Sequence, residues 1–295
     1  MPVRIGINPL TWTNDDLPEL GEQNSLEQCL GEAKLAGYDG VELGRKFPRQ
    51  AATLGPILQR HGLALVSGWY SARLLERSAG EEIAALASHL QLLRKLDCKA
   101  MVFAEVSRCV HGDRGIPLSR RPRLDEADWT RLCRGLDEVG AYLAGQGVAL
   151  AYHHHMGTAI QSEDEIDRMM AGTSCAVGLL LDTGHLAFAG GDAARVAERH
   201  AARIVHVHCK DVRAAPLAEA KRRDLSFLDS VLAGAFAVPG DGSIDFAPLL
   251  ERLAKRGYRG WLVVEADQDP ARAHPLTHAR IGHDCLRPLS RRFWK

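Results

Sequence analysis

The stretch VGLLLDTGH, residues 177–185, is a short apolar run that closes on an aspartate and, three positions later, a histidine. A strand with one face in water alternates apolar and polar residues. This run shows no such alternation and reads as a strand buried on both faces. Double burial belongs to a parallel sheet covered by helices, so the fold depends on whether the rest of the chain supplies matching strands and the helices to cover them.

It supplies both. Seven further runs of the same kind follow one another along the chain: VRIGIN (3–8), DGVEL (39–43), LALVSG (63–68), AMVFA (100–104), VALAY (148–152), RIVHVH (203–208) and GWLVVE (260–265). Between them lie SLEQCLGEAKLAG, AATLGPILQRHG, EEIAALASHLQLLRKL, DWTRLCRGLDEVGAYLAGQG and DFAPLLERLAKRG, with apolar residues at helical spacing. Several end in a glycine just before the next strand, the residue that adopts the left-handed conformation closing a helix. Eight such strands within 295 residues predict an α/β protein, a single (β/α)8 TIM barrel spanning residues 1–295. An open doubly wound sheet is the alternative. It would carry a glycine-rich phosphate loop after its first strand, and GINPLTW (6–12) lacks the GxGxxG pattern. Two connections, 105–125 and 209–242, are long enough to predict lids or binding loops. Arg114, Arg120, Arg121 and Arg123 crowd the first of them and read as a solvated or subunit-contact charge run.

The bulk composition narrows the partner. Lys plus Arg and Asp plus Glu both number 37, so no net field recruits nucleic acid or an anionic membrane surface. No apolar stretch approaches the length of a membrane span, and the N-terminus lacks a signal-peptide pattern, so a cytoplasmic protein is expected. Seven scattered cysteines without CxxC spacing argue against a disulfide framework or a zinc knuckle. A small-molecule partner fits this balance, with a homo-oligomer left open.

In a (β/α)8 barrel the site lies at the C-terminal ends of the strands. Here those ends are polar: Glu42 after DGV, Glu105 after VFA, His153 to His155 in AYHHHMGT, Asp182 and His185 in LDTGH, His206, His208, Lys210 and Asp211 in HVHCKD, Glu265 and Asp267 in VVEAD. Side chains alternate across a strand, so 206, 208 and 210 share a face, as do 153 and 155, while His154 is expected to turn toward the helices. A lone histidine at a strand end is usually structural. Several carboxylates and imidazoles converging at one mouth call for a cation, and mixed N and O donors suit Mn²⁺, Co²⁺, Fe²⁺ or Zn²⁺ better than Mg²⁺ or Ca²⁺.

These motifs carry a resemblance. LLLDTGH, HVHCKD, PGDGSIDFAPLLERLAKRGYRGWLVVEADQDP and GINPLTW are similar to the xylose-isomerase-like TIM barrels, and GINPLTWTNDDLPELG, GYDGVELG, AYHHHMGT and LSRRPRL to the inosose dehydratase family among them, over essentially the whole chain. The resemblance implies a divalent metal, Mn²⁺ or Co²⁺ foremost, on Asp182, His208, Glu265 and, where many relatives have glutamate, His153. It implies elimination of water from a cyclic polyol ketone, 2-keto-myo-inositol, to a trihydroxycyclohexane-1,2-dione in inositol catabolism. A keto-sugar isomerase or epimerase built on the same chemistry is the alternative. Glutathione enters as a cofactor through the resemblance alone. For such chemistry Glu265 or Glu42 is the expected base and His155 or Lys210 the expected acid. His185 and His206 are expected to contact substrate or orient ligands, and Asn8 and Trp12 to supply a polar contact and an apolar wall, with plain core packing the competing reading for Trp12.

Overall fold

In the computed structural model, which describes residues 3–295, the eight apolar runs pair in parallel and close on themselves. In chain order the strands are β1 (Arg4–Ile7), β2 (Gly40–Leu43), β3 (Ala64–Ala72), β4 (Ala100–Glu105), β5 (Ala149–His153), β6 (Val177–Asp182), β7 (Ile204–Cys209), β8 (Asp211–Val212), β9 (Phe236–Ala237) and β10 (Trp261–Val264). β1 to β7 and β10 form the closed barrel, with β10 seated between β7 and β1, while β8 and β9 make a separate antiparallel pair. The helices are α1 (Leu26–Leu35), α2 (Ala51–His61), α3 (Ala79–Lys95), α4 (Glu126–Gly145), α5 (Glu163–Gly172), α6 (Thr183–Phe188), α7 (Ala193–His200), α8 (Ala214–Arg222), α9 (Phe227–Leu232), α10 (Phe246–Lys255) and α11 (Pro275–Phe293). This is the architecture the sequence predicts. Among the described residues no helix is long and apolar enough to cross a membrane.

The two faces of each strand have separate jobs. Leu150, Tyr152, Leu179, Leu181 and Val207 point outward into one cluster with helix residues such as Leu136, Val139 and Ile166. Ala151, Leu180 and Val102 point inward and fill the barrel. One step further along, the same inward positions become His153, Asp182 and His208. The period-2 alternation that buries both faces therefore also delivers the polar strand ends to the barrel axis. Helix starts are fixed by side-chain caps: Ser78 with Glu81 and Ser162 with Glu165 form reciprocal capping boxes at α3 and α5.

Both long connections roof the catalytic end. The segment 209–242 contains β8, α8, α9 and β9, so it is ordered into an insertion rather than left as loop. Its Phe227, Leu228, Val231 and Phe236 join Leu17, Leu118 and Met156 in a second apolar cluster. The segment after β4 is tied to this insertion by Ser119, whose N–H donates to Asp224 Oδ1 at 3.1 Å, and by Arg114 Nε donating to Asp229 Oδ1 at 2.9 Å. Arg121 departs from the expected solvated charge run. It is 4% exposed, donating to the carbonyls of Thr158 (3.1 Å) and Ala159 (2.9 Å) and to Glu165 Oε1 (2.5 Å). A guanidinium can satisfy three acceptors in one plane, which explains its burial.

Arg121→Ala is expected to strand those acceptors and lower stability by about 1.5–3 kcal/mol, with Arg121→Lys failing to restore it; urea unfolding of the two variants checks this, and wild-type midpoints in both would contradict the clamp.

Candidate active site

The site is built around Asp182. Its Oδ1 accepts the His185 N–H at 2.8 Å, capping α6, which turns Oδ2 into the barrel. Its own N–H is donated to Nε2 of His154 at 3.2 Å. His154 thus sits off the barrel axis yet is fully buried, and burial pulls its pKa down to about 3, so it stays neutral and accepts. Backbone and side chain of Asp182 are both pinned before any ligand arrives.

Three further donor groups meet beside it. Asp182 Oδ2 lies 3.4 Å from His153 Nε2 and 3.6 Å from His208 Nδ1, and Glu265 Oε2 closes on the same Nδ1. Behind His208, Glu42 Oε1 takes hydrogen bonds from Ser67 Oγ (2.6 Å), His206 Nε2 (2.9 Å) and His208 Nε2 (3.2 Å), and its Oε2 takes one from Asn8 Nδ2 (2.7 Å). A carboxylate only accepts, so the network assigns a hydrogen to Nε2 of His208 and aims Nδ1 at two further carboxylates. That arrangement favours positive charge at His208: burial opposes it, but Glu265 and Glu42 outweigh burial and hold the His208 pKa well above its ordinary value. Burial likewise pushes Glu42 up, and the facing His208 and His206 overcome it, holding that carboxyl well below the usual range.

Lys210 supplies the opposite charge. Its fully buried Nζ lies 2.6 Å from Asp267 Oδ2, 2.9 Å from Glu265 Oε1, 2.9 Å from His185 Nε2 and 3.8 Å from Asp182 Oδ2. Burial lowers its pKa, but Asp267, Glu265 and Asp182 more than reverse this. Asp267 is raised to about 6, by burial first, with Lys210 opposing. The glycine of LDTGH makes room for the lysine stem, since a Cβ on Gly184 would lie 2.5 Å from Lys210 Cγ.

A cavity of about 270 Å³ opens over this floor. Asn8, Glu42, His153, His155, His208 and Glu265 line it, as the strand-end reading anticipates for side chains facing the mouth. Asp182, His185, His206 and Lys210 stand behind its wall, in contact with groups that do line it. Trp12 is away from it: fully buried, its Nε1 donates to Glu32 Oε2 at 2.6 Å, which is core packing. His155 donates Nδ1–H to the Met156 carbonyl at 2.8 Å and lies over His185 with ring centroids 3.8 Å apart. The cavity also takes in Asp15, Asp16, Trp69, Ser71 and His111, none singled out from sequence. Trp69 and Ser71 belong to the part of β3 that outruns its apolar stretch, where pairing with Val102 and Ala104 continues the strand through polar residues. Among the described residues, no lysine or arginine lines the cavity, against five carboxylates, Asp15, Asp16, Glu42, Glu265 and Asp267.

The family model described as xylose isomerase-like TIM barrel matches residues 30–289. The chain is similar to the rhizopine catabolism protein MocC of Rhizobium meliloti, 54% identical over 97% of this chain and 88% of the relative. It is also similar to an inosose dehydratase of Geobacillus thermodenitrificans, 44% identical over 97% of this chain and 96% of the relative. In fold it resembles the crystal structure of IOLI protein with a bound zinc atom, at TM-score 0.70, 16% identity and coverage of 98% and 99% of the two chains.

Lys210→Met is expected to leave three buried carboxylates without their counter-ion and to cost about 3–5 kcal/mol of stability; denaturant unfolding of the variant checks this, and a loss below 1 kcal/mol would mean that the ammonium is not what holds the wall.

Proposed function

The chain belongs to the inosose dehydratase family of the xylose isomerase-like TIM barrels, and we propose that it eliminates water from 2-keto-myo-inositol to give a trihydroxycyclohexane-1,2-dione, a step of inositol catabolism. The observation that carries this reading is the meeting of His153, His208 and Glu265 of the cavity lining with Asp182 just behind it, in a cavity lined, among the described residues, by no lysine or arginine. Such a cavity offers hydrogen bonds to hydroxyls and no lysine or arginine to pair with a phosphate, which fits an uncharged polyol.

We infer that His153 Nε2, Asp182 Oδ2, His208 Nδ1 and Glu265 Oε2 hold a divalent cation, Mn²⁺ or Co²⁺ ahead of others. The donor set fits one: Nδ1 of His208 faces two carboxylates, a geometry that demands positive charge, and mixed N and O donors suit a transition metal. Glu42 then acts by orienting His208, as carboxylates behind metal-binding imidazoles do. When bound, the cation supplies Lewis acidity to the substrate's ketone and so acidifies the neighbouring C–H.

The remaining work belongs to the side chains. Both carboxylates expected to act as base reach the cavity, but Glu42 is saturated by four donors, while Glu265 has Lys210 keeping it ionised. We therefore assign proton removal to Glu265. Lys210, expected as an acid, acts instead as the fixed charge behind Glu265 and Asp267. Protonation of the departing hydroxyl falls to the imidazole wall on the far side, where His155 commits Nδ1 to a carbonyl and keeps Nε2 for the cavity. His185 and His206 hold Lys210 and Glu42 in place, and Asn8 does the same from the β1 side. With His153 at the position where the resemblance gives many relatives a glutamate, the pair of metal-bound glutamates that an isomerase would use is incomplete, which favours elimination over epimerisation.

Protein stripped of metal and given back Mn²⁺ or Co²⁺, with and without glutathione, is expected to convert 2-keto-myo-inositol to the dione, followed by its ultraviolet absorbance, only when metal is present. An intact inosose alongside an isomerised or epimerised ketose would contradict the reading. Phosphorylated ketoses are expected to show no turnover, and a kcat/KM for one of them equal to that for the inosose would contradict the charge argument.

A further inference from the structure

The proposed reaction needs two proton transfers, and one cavity imidazole has no place in the account so far. His111 is carried on the segment after β4, outside every group of side chains that could hold the metal. Its ring stands edge-on to His155 at 5.1 Å and 65°, and to Trp69 at 6.4 Å and 63°. Its Nδ1 is buried without a partner, which leaves Nε2 as the nitrogen that can meet a ligand in the cavity.

The position is built. Val110 N–H donates to the Gly157 carbonyl at 2.9 Å, bringing the loop down on the MGT turn that follows the three histidines. Gly157 has φ +80°, and a Cβ there would lie 2.9 Å from His111 N and 3.0 Å from its Cα. Only glycine allows both the backbone conformation and the approach. Arg121 ties the same loop to the carbonyls of Thr158 and Ala159, so both sides of the turn are clamped to the segment that carries His111. A surface histidine without a function would need none of this.

We propose that His111 is a catalytic residue of the dehydration, touching the substrate in the cavity and, in its imidazolium form, giving its Nε2 proton to the departing β-hydroxyl, which leaves the neutral ring. The assignment rests on the dehydratase reading and divides its imidazole wall. Glu265 takes the proton from the carbon beside the ketone, and that C–H pair becomes the new C=C bond. The β C–O bond breaks with its electron pair on oxygen, and the proton from His111 converts the leaving hydroxide to water. Solvent returns a proton to His111, the carboxyl of Glu265 releases its own, and the enol product tautomerises to the dione. No further reactant is required.

The surroundings separate His111 from His155. His155 lies against His185 and near Lys210 and His153, so positive charge on its ring meets other cationic or metal-binding groups. His111 faces Asp16, with Asp15 on the same rim, His155 across the cavity and the Cys109 thiol on its own loop. Burial holds its pKa below the ordinary imidazole value, and Asp16 offsets part of that. Of the two cavity imidazoles outside the proposed metal set, His111 and His155, it is the one on which a carboxylate acts to favour the charged form.

The test compares two rates in the metal-loaded enzyme: dione formation, and uptake of solvent deuterium at the α-carbon of unreacted 2-keto-myo-inositol. In His111→Gln, dione formation is expected to fall roughly 100-fold or more, while enzyme-dependent deuterium uptake stays within a few-fold of wild type. Dione formation within a few-fold of wild type would overturn the assignment. So would a parallel fall of both rates, which is what a merely structural histidine gives. His111→Asn, with the thermal midpoint of both variants alongside, separates misfolding from lost chemistry. Wild-type enzyme that forms no dione at all would defeat the dehydratase reading itself and His111's role with it, a result distinct from an active wild type matched by its variant.

Discussion

One buried ammonium organises the catalytic end of this barrel. Lys210 Nζ reaches carboxylates of Asp267, Glu265 and Asp182 and the ring of His185, all from a fully buried position. Charges of one sign cannot be packed this closely in a low-dielectric interior unless the opposite sign sits among them. A lysine inside the wall offsets part of the negative charge of the five carboxylates that face this small space. The room for the lysine stem comes from Gly184, and the strand that precedes it comes from β7, so sequence motif, fold and charge balance meet at one residue.

The second organising relation is the division of the cavity into two walls. Asn8, Asp15, Asp16, Glu42, Glu265 and Asp267 come from the β1, β2 and β10 side, and Trp69, His111, His153 and His155 from the β3, β4 and β5 side. In the proposed mechanism the first wall supplies the base and the second the acid, with the proposed metal ligands where the walls meet. An elimination needs that separation, because base and acid act on neighbouring carbons of the ring. The insertion carrying α8 and α9 and the segment after β4 close over both walls through a shared apolar cluster.

Much of this was legible in the chain. The apolar runs free of alternation identified parallel strands, and their polar ends identified the mouth, because period-2 geometry makes both statements at once. The alternation also separates His153 and His155, which line the cavity, from His154, which does not. What it cannot convey is that His154 is fully buried and accepts the Asp182 N–H, since that depends on the neighbouring strand. Lys210 was visible as a strand-end cation, but its retreat behind the wall depends on Asp267, 57 residues away, and on the missing side chain at Gly184. His111 and the Asp15–Asp16 pair sit in irregular segments, where no periodicity signals direction. The only trace of His111 lies in the glycine of HHHMGT, whose purpose becomes clear once the loop above it is seen.

The central claim is that a divalent cation is held by His153, Asp182, His208 and Glu265. Anomalous diffraction from crystals soaked in Mn²⁺ tests it most directly. The account predicts a dominant peak within bonding distance of His153 Nε2, Asp182 Oδ2, His208 Nδ1 and Glu265 Oε2. A dominant peak at the Asp15 and Asp16 rim, or one bonded without His153 and His208, would contradict it.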